Sequence, residues 1–222
     1  MNQAPNLAGV VARARKLFVM LAFSLLVLPG AARAETITIL ALGDSLTAGY
    51  GLPPGEGFPA QLEAALLAAG HDVRVIDAGV SGDTTTGALA RLDWSMDPQT
   101  DAVIVELGGN DALRGINPEL SEEALDGIMS NLQERGLPTL LAGMQAPPNM
   151  GAAYTEAFNP IFAQLAQTYD AVHYPFFLEG VASIPELNLP DGIHPTSQGI
   201  GLIVQSIMPY VEDLISRVAT SG

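Results

Sequence analysis

The feature that most limits the fold of this chain is a short apolar run that recurs and ends each time in a polar turn containing glycine. Residues 36–42, 73–77 and 102–107 are such runs, and each is rich in β-branched or aliphatic side chains. Runs of this length are typical of strands in a parallel sheet, and the first and third are apolar enough to be buried on both faces. The sequence therefore predicts a parallel sheet whose strands end in polar turns.

Patterns typical of helices fill the intervals between these runs. Alternation of strands and helices implies right-handed crossovers that place helices on both faces of the sheet. We expect a three-layer α/β/α sandwich with a central parallel sheet of about five strands, which is the flavodoxin-like arrangement. The remaining predicted strands are 138–142 and 171–174, and the predicted helices are 58–69, 86–94, 121–132, 154–169 (interrupted or kinked at Pro160) and 197–218 (kinked at Pro209).

The N-terminus has the three parts of a secretory signal peptide. Arg13, Arg15 and Lys16 precede an apolar run at 17–28, and small residues at alternate positions follow, ending at Ala34. The apolar run is shorter than the ~20 residues that span a membrane. We expect cleavage after Ala34, export to the periplasm or out of the cell, no stable membrane anchor, and one domain at 35–222.

The charge of the exported chain excludes one class of partner. Loss of the signal peptide leaves five arginines, no lysine and all 24 acidic residues, a net charge of −19. A surface of this sign repels nucleic acid. Without cysteine, thiol chemistry and thiolate metal sites are also excluded, and we expect neither a metal nor a cofactor. The oligomeric state stays open.

Ser45 follows the first strand, Gly82 the second and Asn110 the third. The carboxyl ends of parallel strands share one edge of a sheet, so these residues are expected to converge there. A serine nucleophile needs a base and a group that orients the base. Among the three histidines, His194 is the candidate base because Asp191 lies three residues before it in a turn, whereas His71 and His173 have no such partner.

An oxyanion hole is the further requirement, because the carbonyl oxygen becomes negative during attack. The backbone N–H groups of Ser45 and Gly82 and the side-chain amide of Asn110 are the candidate donors. Each residue also has a simpler interpretation: glycine and asparagine are common in turns, and Asp44, Ser45 or Asp191 could cap a helix.

Taken together, four short motifs resemble those of the SGNH hydrolases, also called the GDSL esterase family, and the resemblance covers nearly the whole predicted domain. It is nearest to the small periplasmic branch of arylesterases and thioesterase/lysophospholipases. It implies a serine esterase that hydrolyses acyl or aryl esters through an acyl-enzyme on Ser45, with Asp191 and His194 completing the triad; the alternative is an acyl-CoA thioesterase or lysophospholipase. The motifs are Gly43-Asp44-Ser45-Leu46, Ser81-Gly82-Asp83, Gly108-Gly109-Asn110-Asp111 and Asp191-Gly192-Ile193-His194-Pro195.

Two other classes of protein could share parts of this pattern. A metal-dependent phosphoryl-transfer enzyme also keeps an acid after the first strand, but it typically has a second acid two residues later, where this chain has Leu46. A periplasmic binding protein without catalysis could share the fold.

Around the site, the loop 145–154 is a candidate cover and 175–178 a candidate apolar wall. Arg114 is the one cation adjacent to a motif in the sequence.

Overall fold

Five parallel strands form a single sheet at the centre of the domain. The computed structural model describes Met1 and residues 36–221; apart from Met1, the predicted signal peptide lies outside the described residues. The strand order is β2-β1-β3-β4-β5. This order confirms the predicted flavodoxin-like parallel sheet. The strands are β1 (Ile37–Gly43), β2 (Val73–Gly79), β3 (Ala102–Glu106), β4 (Thr139–Ala142) and β5 (Val172–Tyr174).

Helices surround the sheet in two groups. The chain moves from β1 outward to β2 and then crosses back to β3, β4 and β5, so right-handed crossovers place the first connecting helix on one face and the later ones on the other. In agreement, α2 packs against α8, and α5 packs against both α3 and α7. The helices are α1 (Ser45–Ala48), α2 (Phe58–Ala68), α3 (Thr85–Ser95), α4 (Gly109–Leu113), α5 (Pro118–Glu134), α6 (Ala152–Phe158), α7 (Ile161–Thr168) and α8 (Ser197–Ser221), with 3₁₀ turns at Pro148–Met150 and Pro185–Leu187.

The register of the sheet aligns the ends of its first three strands. Gly43 pairs with Gly79 of β2 on one side and with Glu106 of β3 on the other. All five residues of β3 are buried, as are all but the first of β1, which confirms that both are central strands. The polar turns after β1, β2 and β3 therefore meet at one edge, where the direction of the strand order reverses.

Several helix bounds differ from the sequence prediction for local reasons. Helix α5 begins at Pro118 instead of residue 121, because Asn117 accepts a hydrogen bond from the Glu119 N–H and caps the helix. The predicted helix at 154–169 is two helices separated at Pro160. Pro209 lies inside the continuous helix α8. Within residues 36–221, no helix is both long and apolar enough to cross a membrane.

Candidate active site

The turn after β1 presents Ser45 as the first residue of the short helix α1. A side chain at Gly43 would collide with the Thr47 hydroxyl, since a Cβ there would lie 1.9 Å from Thr47 Oγ1. Asp44 caps α1 by accepting a hydrogen bond from the Leu46 N–H at 2.9 Å. The capping interpretation is therefore right for Asp44, and capping by Asp44 fixes the direction of the adjacent Ser45.

Three side chains form a hydrogen-bonded series across the site. His194 Nε2 lies 2.9 Å from Ser45 Oγ. On the other side of the ring, His194 Nδ1 lies 2.7 Å from Asp191 Oδ2. The side chain of His194 is only 16% exposed, which limits competition from water for both contacts. The structure thus brings Ser45, which is near the start of the domain sequence, together with Asp191 and His194, which are near its end.

Asp191 is held by its own loop and does not cap a helix. Its Oδ1 accepts hydrogen bonds from the backbone N–H groups of Ile193 and His194 at 2.9 and 3.0 Å. The His194 N–H above all, then the Ile193 N–H and the His194 side chain, lower the pKa of Asp191 to about 2. The last helix is capped by Thr196 instead, which accepts from the Gly199 N–H. Asp191 is therefore an ionised partner for the imidazole.

The three candidate oxyanion donors, Ser45, Gly82 and Asn110, line one cleft. Gly82 has φ of 83°, in the left-handed region that favours glycine, and lines the same cleft as Ser45 and Asn110. The Asn110 amide Nδ2 donates a hydrogen bond to Asp44 Oδ2 at 2.9 Å. An amide nitrogen carries two hydrogens, so one remains for a further acceptor. Asn110 itself belongs to α4, a short helix that the sequence did not predict.

The cleft has a volume of about 360 Å³, within the usual range for small-molecule sites. Its apolar lining comes from Leu46, Tyr50, Leu113 and Ile193, and the Tyr50 ring lies 4.5 Å from the His194 ring, centroid to centroid. Tyr50, Leu113 and Ile193 are all exposed, and because they line the same cleft they form an apolar contact surface at its rim. No arginine is among the described residues that line it.

The predicted apolar wall at 175–178 is wrong. Phe177 is fully buried and packs edge-on against Phe58 in the core, and the lining includes nothing from 175–178. The loop 145–154, predicted as a cover, does not line the cleft either. Sequence reasoning gave no lining role to Tyr50, Leu113 or Ile193, although Ile193 is part of a motif and the other two lie within four positions of one.

Two buried carboxyl groups lie beneath the Ser45 turn. Burial raises the pKa of Asp44 to about 6. Glu106 is completely buried, and its burial, followed by the nearby charge of Asp44, raises its pKa well above the ordinary value. Thr47 Oγ1 lies 2.8 Å from Glu106 Oε2, while Oε1 has no hydrogen-bond partner within the described part of the chain. Glu106 therefore supports the turn from below through its contact with Thr47.

Arg91 is a second support that the sequence did not reveal. Its guanidinium donates to Asp83 Oδ2 at 2.6 Å and to the carbonyl oxygen of Gly43 at 2.9 Å. It thus links the turn after β2 to the end of β1.

The other two histidines lie elsewhere: His71 Nε2 is 3.5 Å from Glu212 Oε1, and burial in β5 lowers the pKa of His173.

A hydroxyl in contact with an imidazole that is itself held by an ionised carboxylate is the arrangement of a serine hydrolase. Comparison with known proteins gives the same class. Residues 41–200 match the model of the GDSL-like lipase/acylhydrolase family. The chain belongs to this family and is a serine hydrolase of carboxylic esters.

Individual relatives cover most of the chain. An arylesterase of Vibrio mimicus is 40% identical over 188 residues, which is 84% of this chain and 90% of the relative. The thioesterase 1/protease 1/lysophospholipase L1 of Escherichia coli K12 is 36% identical over 198 residues, 89% of this chain and 94% of the relative. The crystal structure of AlinE4, a SGNH-hydrolase family esterase, is 48% identical, with a TM-score of 0.69 over 81% of this chain and 96% of that one.

Proposed function

We propose that Ser45 is the nucleophile of an esterase for uncharged acyl or aryl esters. The proposal is carried by one observation, the contacts of 2.9 Å and 2.7 Å that join Ser45 to His194 and His194 to Asp191 at an apolar cleft. His194 Nε2 accepts the Ser45 proton as Oγ attacks the substrate carbonyl. Asp191 holds the imidazole in the required tautomer and stabilises the imidazolium.

The backbone N–H groups of Ser45 and Gly82 and the Asn110 amide then stabilise the tetrahedral oxyanion. His194 returns the proton to the leaving alcohol or phenol as the ester bond breaks, which leaves the acyl group on Ser45. Water, activated by the same imidazole, attacks this acyl-enzyme and releases the acid. The leaving group departs on the His194 side of the cleft, where Tyr50 offers an aromatic face.

Hydrolysis of a thioester or a lysophospholipid is the second candidate function. The name of the Escherichia coli relative includes both activities, and the same triad could serve them. The charge of the domain favours uncharged esters over acyl-CoA, because coenzyme A brings several phosphate charges to a strongly acidic protein whose described cleft lining holds no arginine.

The test of the triad uses the purified domain with p-nitrophenyl butyrate in the presence of EDTA. Undiminished turnover with the chelator is expected for a serine esterase and contradicts a metal-dependent enzyme. Ser45→Ala and His194→Ala should each lower kcat by ~10³-fold or more with an unchanged circular dichroism spectrum. A p-nitrophenyl phosphonate should label Ser45 at one mole per mole, and Ser45→Ala at half the wild-type kcat would disprove the assignment.

The export of this enzyme is also a proposal. It is supported by the basic, apolar and small-residue segments of 1–34, which lie outside the described residues apart from Met1. Expression of the full chain in a bacterium, followed by fractionation and N-terminal sequencing, should yield a periplasmic or secreted protein that begins at Glu35. A product that keeps residues 1–34 would refute the cleavage site.

A further inference from the structure

Arg114 contacts two of the candidate oxyanion donors at the same time. It is the residue that ends α4, four positions after Asn110. Its Nη2 donates a hydrogen bond to the carbonyl oxygen of Gly82 at 2.7 Å and lies 3.4 Å from Asn110 Oδ1, a longer contact. One guanidinium nitrogen thus contacts the Asn110 amide oxygen and the peptide group that follows Gly82, next to the two donors that are needed in the cleft.

Arg114 differs from the other arginines in its choice of partners. Of the five arginines in residues 36–221, the other four are ion-paired with an aspartate, whereas the partners of Arg114 are a backbone carbonyl and a side-chain amide. The cation that lies adjacent to a motif in the sequence is therefore engaged by two groups of the site itself.

These contacts restrain two groups near Ser45 that could otherwise rotate. Gly82 has no side chain and adopts φ of 83°, so its N–H direction depends on what anchors the neighbouring peptide groups. An asparagine amide can also turn end for end, and a donor placed at Oδ1 keeps Nδ2 directed toward Asp44 and the cleft. Preorganised donors stabilise developing charge because they need no reorientation during the reaction.

We propose that Arg114 is a positioning residue of the oxyanion hole, which holds the Gly82 turn and the Asn110 amide in their donating orientations. This inference rests on the proposed roles of Gly82 and Asn110. Since Arg114 acts through these donors and not on the substrate, its loss should lower kcat and leave KM nearly unchanged.

The experiment compares four variants with p-nitrophenyl butyrate. Arg114→Met removes every donor and should lower kcat by about 10-fold with KM within about twofold, since a misplaced donor costs less than a deleted one. Arg114→Lys keeps one ammonium for the Gly82 carbonyl and should recover part of the loss. Arg74→Met is the matched control, because it removes the same charge from a residue near the start of β2, at the end of the strands opposite to the cleft. Asn110→Ala should lower kcat by ~10²-fold or more.

The outcomes separate the inference from the function on which it rests. A normal kcat in Asn110→Ala would refute the proposed oxyanion hole itself. If Asn110→Ala loses activity while Arg114→Met keeps wild-type kcat, or changes only KM, Arg114 does not position the donors. Equal losses in Arg74→Met and Arg114→Met would make the effect one of net charge and would overturn the inference. The kcat of Arg114→Met divided by the kcat of wild type should be the same at low and at high salt if Arg114 positions the donors. A long-range effect of charge on the substrate would instead weaken as salt is raised.

Discussion

The buried carboxyl of Asp44 should contribute a fall in stability as the pH rises from 4 to 7.5, and Asp44→Asn should remove that contribution. Asp44 is 1% exposed, and burial raises its pKa from 3.8 to about 6 in the folded protein. Between these two values the folded state keeps a proton that the unfolded state releases. Unfolding is therefore favoured by rising pH, at 1.36 kcal/mol per unit of pKa difference.

The difference of about two pKa units corresponds to about 3 kcal/mol, of which about 2 to 3 kcal/mol develops between pH 4 and pH 7.5. Asparagine at position 44 can still accept from the Leu46 N–H through Oδ1, but it lacks the second side-chain oxygen, which accepts from Asn110. That loss is present at both pH values. The pH-dependent part of the difference in unfolding free energy thus reports the titration of Asp44 together with its effect on the neighbouring Glu106.

Urea unfolding of wild type and Asp44→Asn at pH 4 and pH 7.5 measures this quantity. We expect the variant to gain about 2 to 3 kcal/mol relative to wild type between the two values. Asp191→Asn is the matched control: its folded pKa is about 2, so the stability it contributes is present above the unfolded value of 3.8 and is lost only as the pH falls toward 2. Its difference from wild type should be nearly constant. An equally constant difference for Asp44→Asn would show that burial does not raise the pKa of Asp44.

Three further predictions concern the cleft and its support. Glu106→Gln should be more stable than wild type at pH 8 but not at pH 4, because a raised pKa in the folded state disfavours folding only above the pKa of the unfolded state. Thermal unfolding at the two pH values measures the difference in stability, and a gain at pH 4 alone would contradict the prediction. Tyr50→Ala should lower kcat/KM for phenyl butyrate about 2- to 10-fold more than for ethyl butyrate, since an aromatic contact is lost beside His194, and equal losses would remove Tyr50 from leaving-group recognition. Butyryl esters should have a higher kcat/KM than butyryl-CoA, with a gap that narrows as salt is raised because the Debye length falls below ~10 Å; better turnover of the thioester at low salt would refute the charge argument.

The sequence was most informative where chemistry and topology coincide. Ser45, Gly82 and Asn110 each follow a predicted strand, and the rule that parallel strands share a carboxyl edge was enough to bring them together. His194 could be separated from His71 and His173 because Asp191 lies close by in the chain. A contact between residues three positions apart is encoded locally, and that is why it could be predicted.

What sequence reasoning missed depends on partners that are distant in the chain. In the sequence, Phe177 is a candidate for the apolar wall of a substrate site. In the structure it packs against Phe58 in the core instead. Ser121 looks like the start of a helix, but it is buried and donates to Asp111 at 3.0 Å while Asn117 caps α5. The hydrogen bonds of Arg91 and Arg114 likewise join separate turns, so no local sequence pattern predicts them.

The hydrogen bond between Ser45 and His194 joins residues 149 positions apart, one directly after the first strand and the other in the loop before the last helix. A pairing of such separation forms only after the intervening crossovers have closed, and parallel sheets of this kind fold slowly. Secondary structure should therefore return early during refolding, while ester hydrolysis returns last. A chain that stops before His194 would contain the proposed nucleophile and oxyanion donors but not the proposed base. The return of catalytic activity should therefore report the completion of folding.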